Sequence, residues 1–194
     1  GAAVLFEAPF LPFDVSRSPS SVAIQDLNGD GHPDLAVSVY NSDAVSVLLG
    51  IDDGPRAATT DFSSGTNPHS VVIGDLDGDG RADLVVTNYS AHTISVLLGN
   101  GNGTFRAKSD FAAGSYPQHV ALADLNHDGR LDAAVTNRGT NTVAVLLGNG
   151  NGTFAARTQY SVGTTPMWVA IGLLNGDANP DLLIANSGAG TVSV

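Results

Sequence analysis

Three observations predict that this chain is an all-β protein, a β-propeller of four-stranded antiparallel blades. An acidic nonapeptide recurs every 49 residues, as DLNGDGHPD, DLDGDGRAD, DLNHDGRLD and the altered LLNGDANPD. The apolar runs between these copies are short, are bounded by Gly, Pro and Asn, and show no helical period. Repeat periods of this length are typical of propellers and solenoids. We therefore expect four copies of one structural unit.

Each repeat has room for four strands. In the second repeat, the sequence predicts strands at about 69–75, 83–88, 93–99 and 105–111. The nonapeptide joins the first two strands. The segment GNGNGTF joins the last two, and its Asn-Gly pairs tolerate the positive φ of a tight hairpin. Four antiparallel strands in about 50 residues form one propeller blade.

Landmark residues set the boundaries of the blades. The repeats share prolines in one phase, at Pro19, Pro68, Pro117 and Pro166. We expect a single domain over residues 1–194, divided into blades at about 14–62, 63–111, 112–160, and 161–194 plus 1–13.

The two ends of the chain share a phase. Gly1 corresponds to Gly50 and Val194 to Val145, so residues 3–13 hold the place of a fourth strand for the last blade. Pairing there would close a monomeric ring of four blades and remove an exposed edge. A segment of a longer ring, or a half-ring that pairs with a second chain in a dimer, would show the same repeats.

Composition narrows the range of partners. The net charge is −11, and 12 of the 19 acidic residues lie inside the nonapeptides, with Glu7 the only glutamate. Such clustered Asp indicates metal coordination, and three bound divalent ions would reduce the charge to about −5. An acidic chain without a basic stripe argues against nucleic acid. No apolar stretch approaches the length of a membrane span, and the absence of Cys excludes disulfides.

The nonapeptides are predicted calcium loops. Oxygen ligands at alternate positions can turn toward one point, Gly at the sixth position allows a sharp turn, and hard oxygen ligands in this number suit Ca²⁺. The ligand positions are the first, third, fifth, seventh (by its backbone carbonyl) and ninth. In the first repeat they are Asp26, Asn28, Asp30, His32 and Asp34; in the second Asp75, Asp77, Asp79, Arg81 and Asp83; in the third Asp124, Asn126, Asp128, Arg130 and Asp132.

The fourth nonapeptide departs from this pattern. Leu173 replaces the first ligand and Ala178 replaces the Gly, so we expect three ions and a weakly filled or empty fourth site. The remaining candidate ligands there are Asn175, Asp177, Asn179 and Asp181. An EF-hand is excluded for the first three loops, because Val37, Val86 and Val135 stand where its twelfth-position Glu would be.

The nonapeptides, the strand VSVLLG and the turn GNGNGTF resemble the FG-GAP/VCBS repeat family, which includes the propellers of integrin α-chains and many bacterial secreted proteins. The resemblance covers essentially the whole chain. It implies calcium between the first and second strands of a blade and ring closure by an N-terminal outermost strand. Rings of this family usually have seven blades. The family includes adhesion modules, lectin-like proteins and a few polysaccharide-cleaving enzymes.

The blade edge opposite the acid loops differs between repeats, as the variable surface of a repeat protein does. The residues expected there are Tyr40, His69, Tyr89, His92, His119, Arg138, Met167 and Trp168. No catalytic constellation is recognisable. We therefore expect a non-enzymatic recognition or structural module of a secreted or cell-surface protein, with a protein or glycan ligand. The alternatives are a carbohydrate-binding lectin and a fragment of a polysaccharide-degrading enzyme.

Overall fold

The computed structural model describes residues 13–15, 18–51, 54–55 and 59–194. Regular structure in these residues consists of antiparallel β-strands, numbered β1 to β17 along the chain. None of these residues belongs to a helix long and apolar enough to cross a membrane. The strands form four successive sheets with the predicted blade organisation, so the all-β propeller prediction is confirmed.

The blades are defined by their strands, named in spatial order. Blade 1 contains β1 (Pro19–Gln25), β2 (Asp34–Val39), β3 (Ala44–Leu48) and β6 (Thr60–Ser63). Blade 2 contains β7 (Pro68–Gly74), β8 (Asp83–Asn88), β9 (Thr93–Leu97) and β10 (Ser109–Ala112). Blade 3 contains β11 (Pro117–Ala123), β12 (Asp132–Asn137), β13 (Thr142–Leu146) and β14 (Thr158–Ser161). Blade 4 contains β15 (Pro166–Gly172), β16 (Asp181–Asn186) and β17 (Thr191–Ser193). A short ribbon of β4 (Gly50–Ile51) and β5 (Gly54–Pro55) follows β3.

The hydrophobic core lies between neighbouring blades. One cluster joins blades 1 and 2, a second joins blades 2 and 3, and a third joins blades 3 and 4. Blades 2 and 3 have a neighbour on each side, so their second strands are covered on both faces, and β8 and β12 are buried along their whole length. This explains why their sequences, DLVVTN and DAAVTN, do not alternate between apolar and polar residues. The first strands of consecutive blades lie side by side.

The fourth strands begin later than the sequence predicts. In blade 2, the expected strand at 105–111 is regular only over Ser109–Ala112. Phe105 instead forms an isolated bridge with Gly99, and the Arg106 N–H donates to the Leu98 carbonyl. The fourth strand begins late because the preceding hairpin turn forms its own hydrogen bonds before the chain pairs with β9.

Ring closure stays a prediction. Residues 3–12 of the expected closing strand lie outside the described residues, and three strands of blade 4 are described. Phe13 and Val15 pack against Val37, Val39 and Leu48 on the side of blade 1 that faces away from blade 2. Phe111 packs in the same way against the cluster that contains Ala133 and Val135. Phe13 therefore occupies the place that an outer-strand Phe of a preceding blade takes in this fold.

Candidate functional sites: the acid loops and the opposite edge

Each acid loop connects the first strand of a blade to the second, and in the first three loops the first-position Asp organises the turn. The two carboxylate oxygens of Asp26 accept the N–H groups of Gly29 at 2.7 Å and Gly31 at 2.8 Å. Asp75 accepts from Gly78 and Gly80 at 2.8 and 2.9 Å. In the third loop, the N–H groups of Asp128 and Gly129 donate to Asp124 at 3.1 and 2.8 Å. The first three loops therefore share one hydrogen-bonded frame.

The ninth-position Asp ties this frame to the third strand. Asp83 is buried, and its two oxygens accept the N–H groups of Leu76 at 2.8 Å and Gly99 at 2.7 Å. The same pair of bonds recurs at Asp34 and Asp132. This carboxylate holds the start of the loop and the end of the third strand together. That structural role was not predicted from the sequence.

The Gly that follows the third strand is required by close packing. A Cβ at Gly99 would lie 2.2 Å from the carbonyl oxygen of Ala82, and at Gly148 it would lie 2.1 Å from that of Leu131. No side chain fits at these distances. The repeated LLG motif therefore reflects the approach of the third strand to the acid loop.

The carboxylates converge in the second loop. One oxygen from each of Asp75, Asp77 and Asp83 lies within 4.8 Å of the other two. Calcium binds oxygen at about 2.3–2.6 Å, so ligands on opposite sides of an ion lie roughly 5 Å apart. The three oxygens therefore fit around one Ca²⁺. In the first and third loops, Asn28 and Asn126 replace the middle carboxylate with an amide oxygen.

The electrostatics of these loops favour a cation. Burial raises the pKa of Asp83, the N–H groups of Gly99 and Leu76 oppose this effect, and the negative charges of Asp77 and Asp79 add to it. The N–H of Gly31, with other backbone donors and against a contrary effect of burial, holds the pKa of Asp26 below its ordinary value. The second loop therefore brings the buried Asp83 carboxylate close to the negative charges of Asp77 and Asp79.

The fourth loop has lost part of the frame. Gly31, Gly80 and Gly129, at the sixth position, have φ of 86°, 79° and 80°, whereas Ala178 does not adopt this left-handed conformation. Leu173 has no side-chain oxygen to organise the turn and is 64% exposed. The Leu174 N–H still donates to Asp181 at 2.8 Å. The bond from the second position to the ninth-position Asp is preserved, and so are the bonds that Asn175 and Asp177 accept within the turn, but the first-position Asp and the left-handed sixth position are missing.

The opposite edge brings most of the predicted ligand-face residues together. Tyr89 is central: its ring lies 6.4 Å from that of Tyr40, 6.2 Å from that of His69 and 4.9 Å from that of Tyr116. Arg138 donates to the Tyr89 hydroxyl at 3.2 Å. Tyr116 was not among the residues predicted for this edge, although it directly precedes the repeat proline Pro117. The predicted His92 extends the same cluster, because its ring lies 4.7 Å from that of Tyr116.

A second group lies nearer the first strands. Trp168 stacks on His119 with ring centroids 3.6 Å apart, and it remains 58% exposed. Met167 is also exposed. His69 Nδ1 lies 3.1 Å from the carbonyl oxygen of Gln118. Desolvation lowers the pKa of His119 to about 4, with a smaller contribution from His69, whose own pKa is also lowered by burial.

Comparison with protein-family models gives three matches to the FG-GAP-like repeat, at residues 26–86, 75–135 and 130–184. Together these segments run from the first acid loop into the second strand of the last blade. No curated protein sequence matches the chain.

Solved structures share the fold. BBS1N, crystallised in complex with ARL6DN, has a TM-score of 0.63 at 14% identity, over 91% of this chain and 56% of that one. The periplasmic gluconolactonase PpgL of Pseudomonas aeruginosa has 0.64 at 23%, over 90% and 48%. An Agrocybe aegerita lectin that recognises non-reducing terminal N-acetylglucosamine has 0.54 at 23%, over 88% and 50%. The chain thus spans about half the length of these structures.

Proposed function

The chain belongs to the FG-GAP repeat family, and we propose that it is a calcium-binding β-propeller that serves as a recognition module of a secreted or cell-surface protein. The observation that carries the calcium assignment is the convergence of Asp75, Asp77 and Asp83 within 4.8 Å. The shared frame of the first three loops extends the assignment to Asp26 and Asp124. The fourth loop, without that frame, is assigned no firmly bound ion.

Bound calcium would supply charge neutralisation and a link between the first and second strands of each blade. The protein contributes the rest. Asp75 sets the turn through two backbone N–H groups, and Asp83 holds the turn against the third strand. Sites of moderate affinity fill where calcium is abundant, which supports an extracellular location.

Recognition is assigned to the opposite edge. There the same backbone positions carry Tyr40, Tyr89, Arg138 and Ser187 in successive blades, which is how repeat proteins vary a binding surface. We assign no catalytic activity. The acid loops bury one carboxylate in backbone hydrogen bonds, and at the opposite edge Arg138 is bonded to the Tyr89 hydroxyl among aromatic side chains. An exposed Trp168 held by stacking on His119 favours a carbohydrate-binding variant of this function.

Calorimetric titration with calcium tests the assignment. We expect about three equivalents to bind the native chain. Asp77→Ala is the sharpest variant, because the Asp77 carboxylate accepts one backbone bond, a long one of 3.3 Å from Asp79. It should lose one equivalent and leave the others. Asp61→Ala removes the same charge from β6, outside the loops, and should keep all three. Absence of calcium binding, or equal losses in both variants, would contradict the proposal.

A further inference from the structure

Residues from the first strands of all four blades line a cavity of about 250 Å³ on the edge opposite the acid loops. Its wall consists of residues 20–22, 69–70, 118–119 and 167–168, close to the start of each strand. We call it the inner cavity. Each first strand has a register irregularity just after its proline, beside this wall. Such bulges re-aim side chains and are common next to binding sites.

Two buried polar atoms of this wall have no hydrogen-bond partner among the described residues. They are Ser70 Oγ and Gln118 Oε1, in side chains that are 2% and 3% exposed. In blade 1, Ser20 stands at the repeat position of Gln118, and its Oγ is satisfied because it donates to the Pro68 carbonyl at 2.9 Å. A buried polar atom left unpaired destabilises the fold, because its desolvation is not compensated. Such atoms are rare in native proteins, and each calls for an explanation such as a bound ligand or an ordered water.

The rest of the wall limits what that partner can be. Among the described residues, the wall contains no Asp, Glu, Lys or Arg, and Val22, Met167 and Trp168 supply apolar surface. A charged ligand would lose its hydration without gaining a counter-charge. A purely apolar ligand would leave Ser70 and Gln118 unpaired. The chemistry that satisfies both parts is an uncharged ring with several hydroxyl groups and an apolar face.

Trp168 provides a surface for such a face. Its indole is held by stacking on His119 and is still more than half exposed. Ligand pockets combine apolar and aromatic walls with a few placed polar groups, and the inner cavity has this composition.

We propose that the inner cavity binds one uncharged monosaccharide unit, whose hydroxyl groups bond to Ser70 Oγ and Gln118 Oε1 and whose apolar face packs on Trp168. This inference rests on the proposed function for the recognition role alone, and it does not depend on calcium. The unit is either a free sugar or the end of a glycan chain, because both present the same hydroxyl groups.

Trp168 is the only tryptophan in the sequence, so its fluorescence reports on the cavity directly. The calcium-loaded protein would be titrated with methyl glycosides of glucose, galactose, mannose and N-acetylglucosamine. Glucuronic acid and glucosamine serve as charged counterparts. We expect a saturable change with at least one neutral glycoside and at least tenfold weaker binding of its charged counterpart. No change with any neutral glycoside well beyond millimolar concentration, or equal binding of the charged sugars, would overturn the inference.

Variants locate the site. Ser70→Ala and Gln118→Leu should each weaken sugar binding by about tenfold. Neither should lower the melting temperature, because each removes an unpaired buried polar group. Gln159→Leu, on the exposed strand β14, is the matched control and should bind as the original chain does. Unchanged affinity in both cavity variants would place the sugar elsewhere and overturn the proposal.

The two proposals fail separately. Sugar binding by a chain that takes up no calcium would refute the calcium assignment alone. Calcium binding without any neutral sugar would refute this inference alone. Titrating a polysaccharide that ends in the preferred unit beside its free glycoside then distinguishes a glycan end from a free sugar.

Discussion

The two edges of the blades use the same backbone frame for different purposes. At the acid-loop edge of the first three blades, both sequence and hydrogen bonds repeat. At the opposite edge, the hydrogen bonds repeat and the side chains change: the N–H groups of Tyr40, Tyr89 and Arg138 donate to the carbonyls of Ser18, Asn67 and Tyr116. The difference fits the proposed division, in which one edge maintains the scaffold and the other carries recognition.

Removing calcium should have the largest effect on stability, and this effect should arise at the acid-loop edge alone. A ligand present at a hundredfold excess over its Kd stabilises the native state by about 2.7 kcal/mol for each site. Chelation should therefore lower the melting temperature markedly, and Mg²⁺ should restore it poorly, because Mg²⁺ requires a stricter octahedral geometry. Differential scanning calorimetry with calcium, magnesium or chelator measures this effect. An unchanged melt in chelator would show that the loops do not depend on a metal.

The next largest effect tests the packing behind the acid loops. Gly99→Ala would place its Cβ 2.2 Å from the Ala82 carbonyl oxygen, against backbone that cannot move freely. We expect a loss of about 1–3 kcal/mol or more in the free energy of unfolding, measured by denaturant titration. Gly172→Ala is the matched control, since nothing lies within 4 Å of its added Cβ. Equal stability of the two variants would contradict the required contact.

The opposite edge should make the stability of the fold depend on pH, through His119. The pKa of His119 is about 4 in the folded chain and 6.5 in its ordinary state, mainly because of burial. Below pH 6.5 the unfolded chain takes up a proton that the folded chain does not accept until about pH 4. Stability is therefore lost as the pH falls through this window, by about 1–2 kcal/mol at pH 5.

His119→Gln provides the test of this pH effect, with melting temperatures compared at pH 7 and pH 5 in saturating calcium. The variant should show a smaller decrease than the original chain. His69, whose pKa is also lowered by burial, faces the same region and should account for part of what remains. A decrease of the same size in both proteins would exclude His119 as its source.

Sequence reasoning worked best where the chain repeats. The 49-residue period predicted the number of blades, and oxygen-bearing side chains at alternate positions predicted the loops. Both signals can be read directly along the sequence. The bond between Asp83 and Gly99 joins residues sixteen positions apart, and the pattern assigned Asp83 to the metal alone. Ser70 and Gln118 were missed for another reason. Their proposed role depends on the lack of a side-chain hydrogen-bond partner among the described residues, which a sequence does not show. Ser70 stands at the same repeat position as the predicted His119, and Gln118 at the same position as the predicted His69.

The acid-loop edge contains its own internal comparison, because the fourth loop keeps the bond from Leu174 to Asp181 and lacks the first-position Asp and the sixth-position Gly. In the first two loops, the second-position Leu27 and Leu76 are buried, and their carbonyls accept the N–H groups of Gly103 and Gly152 from the following blade. The corresponding Leu174 is exposed. The fourth loop therefore differs both in its ligands and in the packing of its surroundings.

Restoring the missing residues of the fourth loop tests which of these differences matters. The expected change in stability is the smallest of those predicted here. The double variant Leu173→Asp with Ala178→Gly returns the first ligand and the residue that tolerates a left-handed φ. We expect one additional calcium equivalent in calorimetry and a gain of about 1.4 kcal/mol at a tenfold excess over Kd. Ala178→Gly alone is the control and should bind no additional ion, because position 173 still lacks an oxygen. If the double variant also stays at three equivalents, the surrounding packing, rather than the loop sequence, decides whether an acid loop takes up calcium.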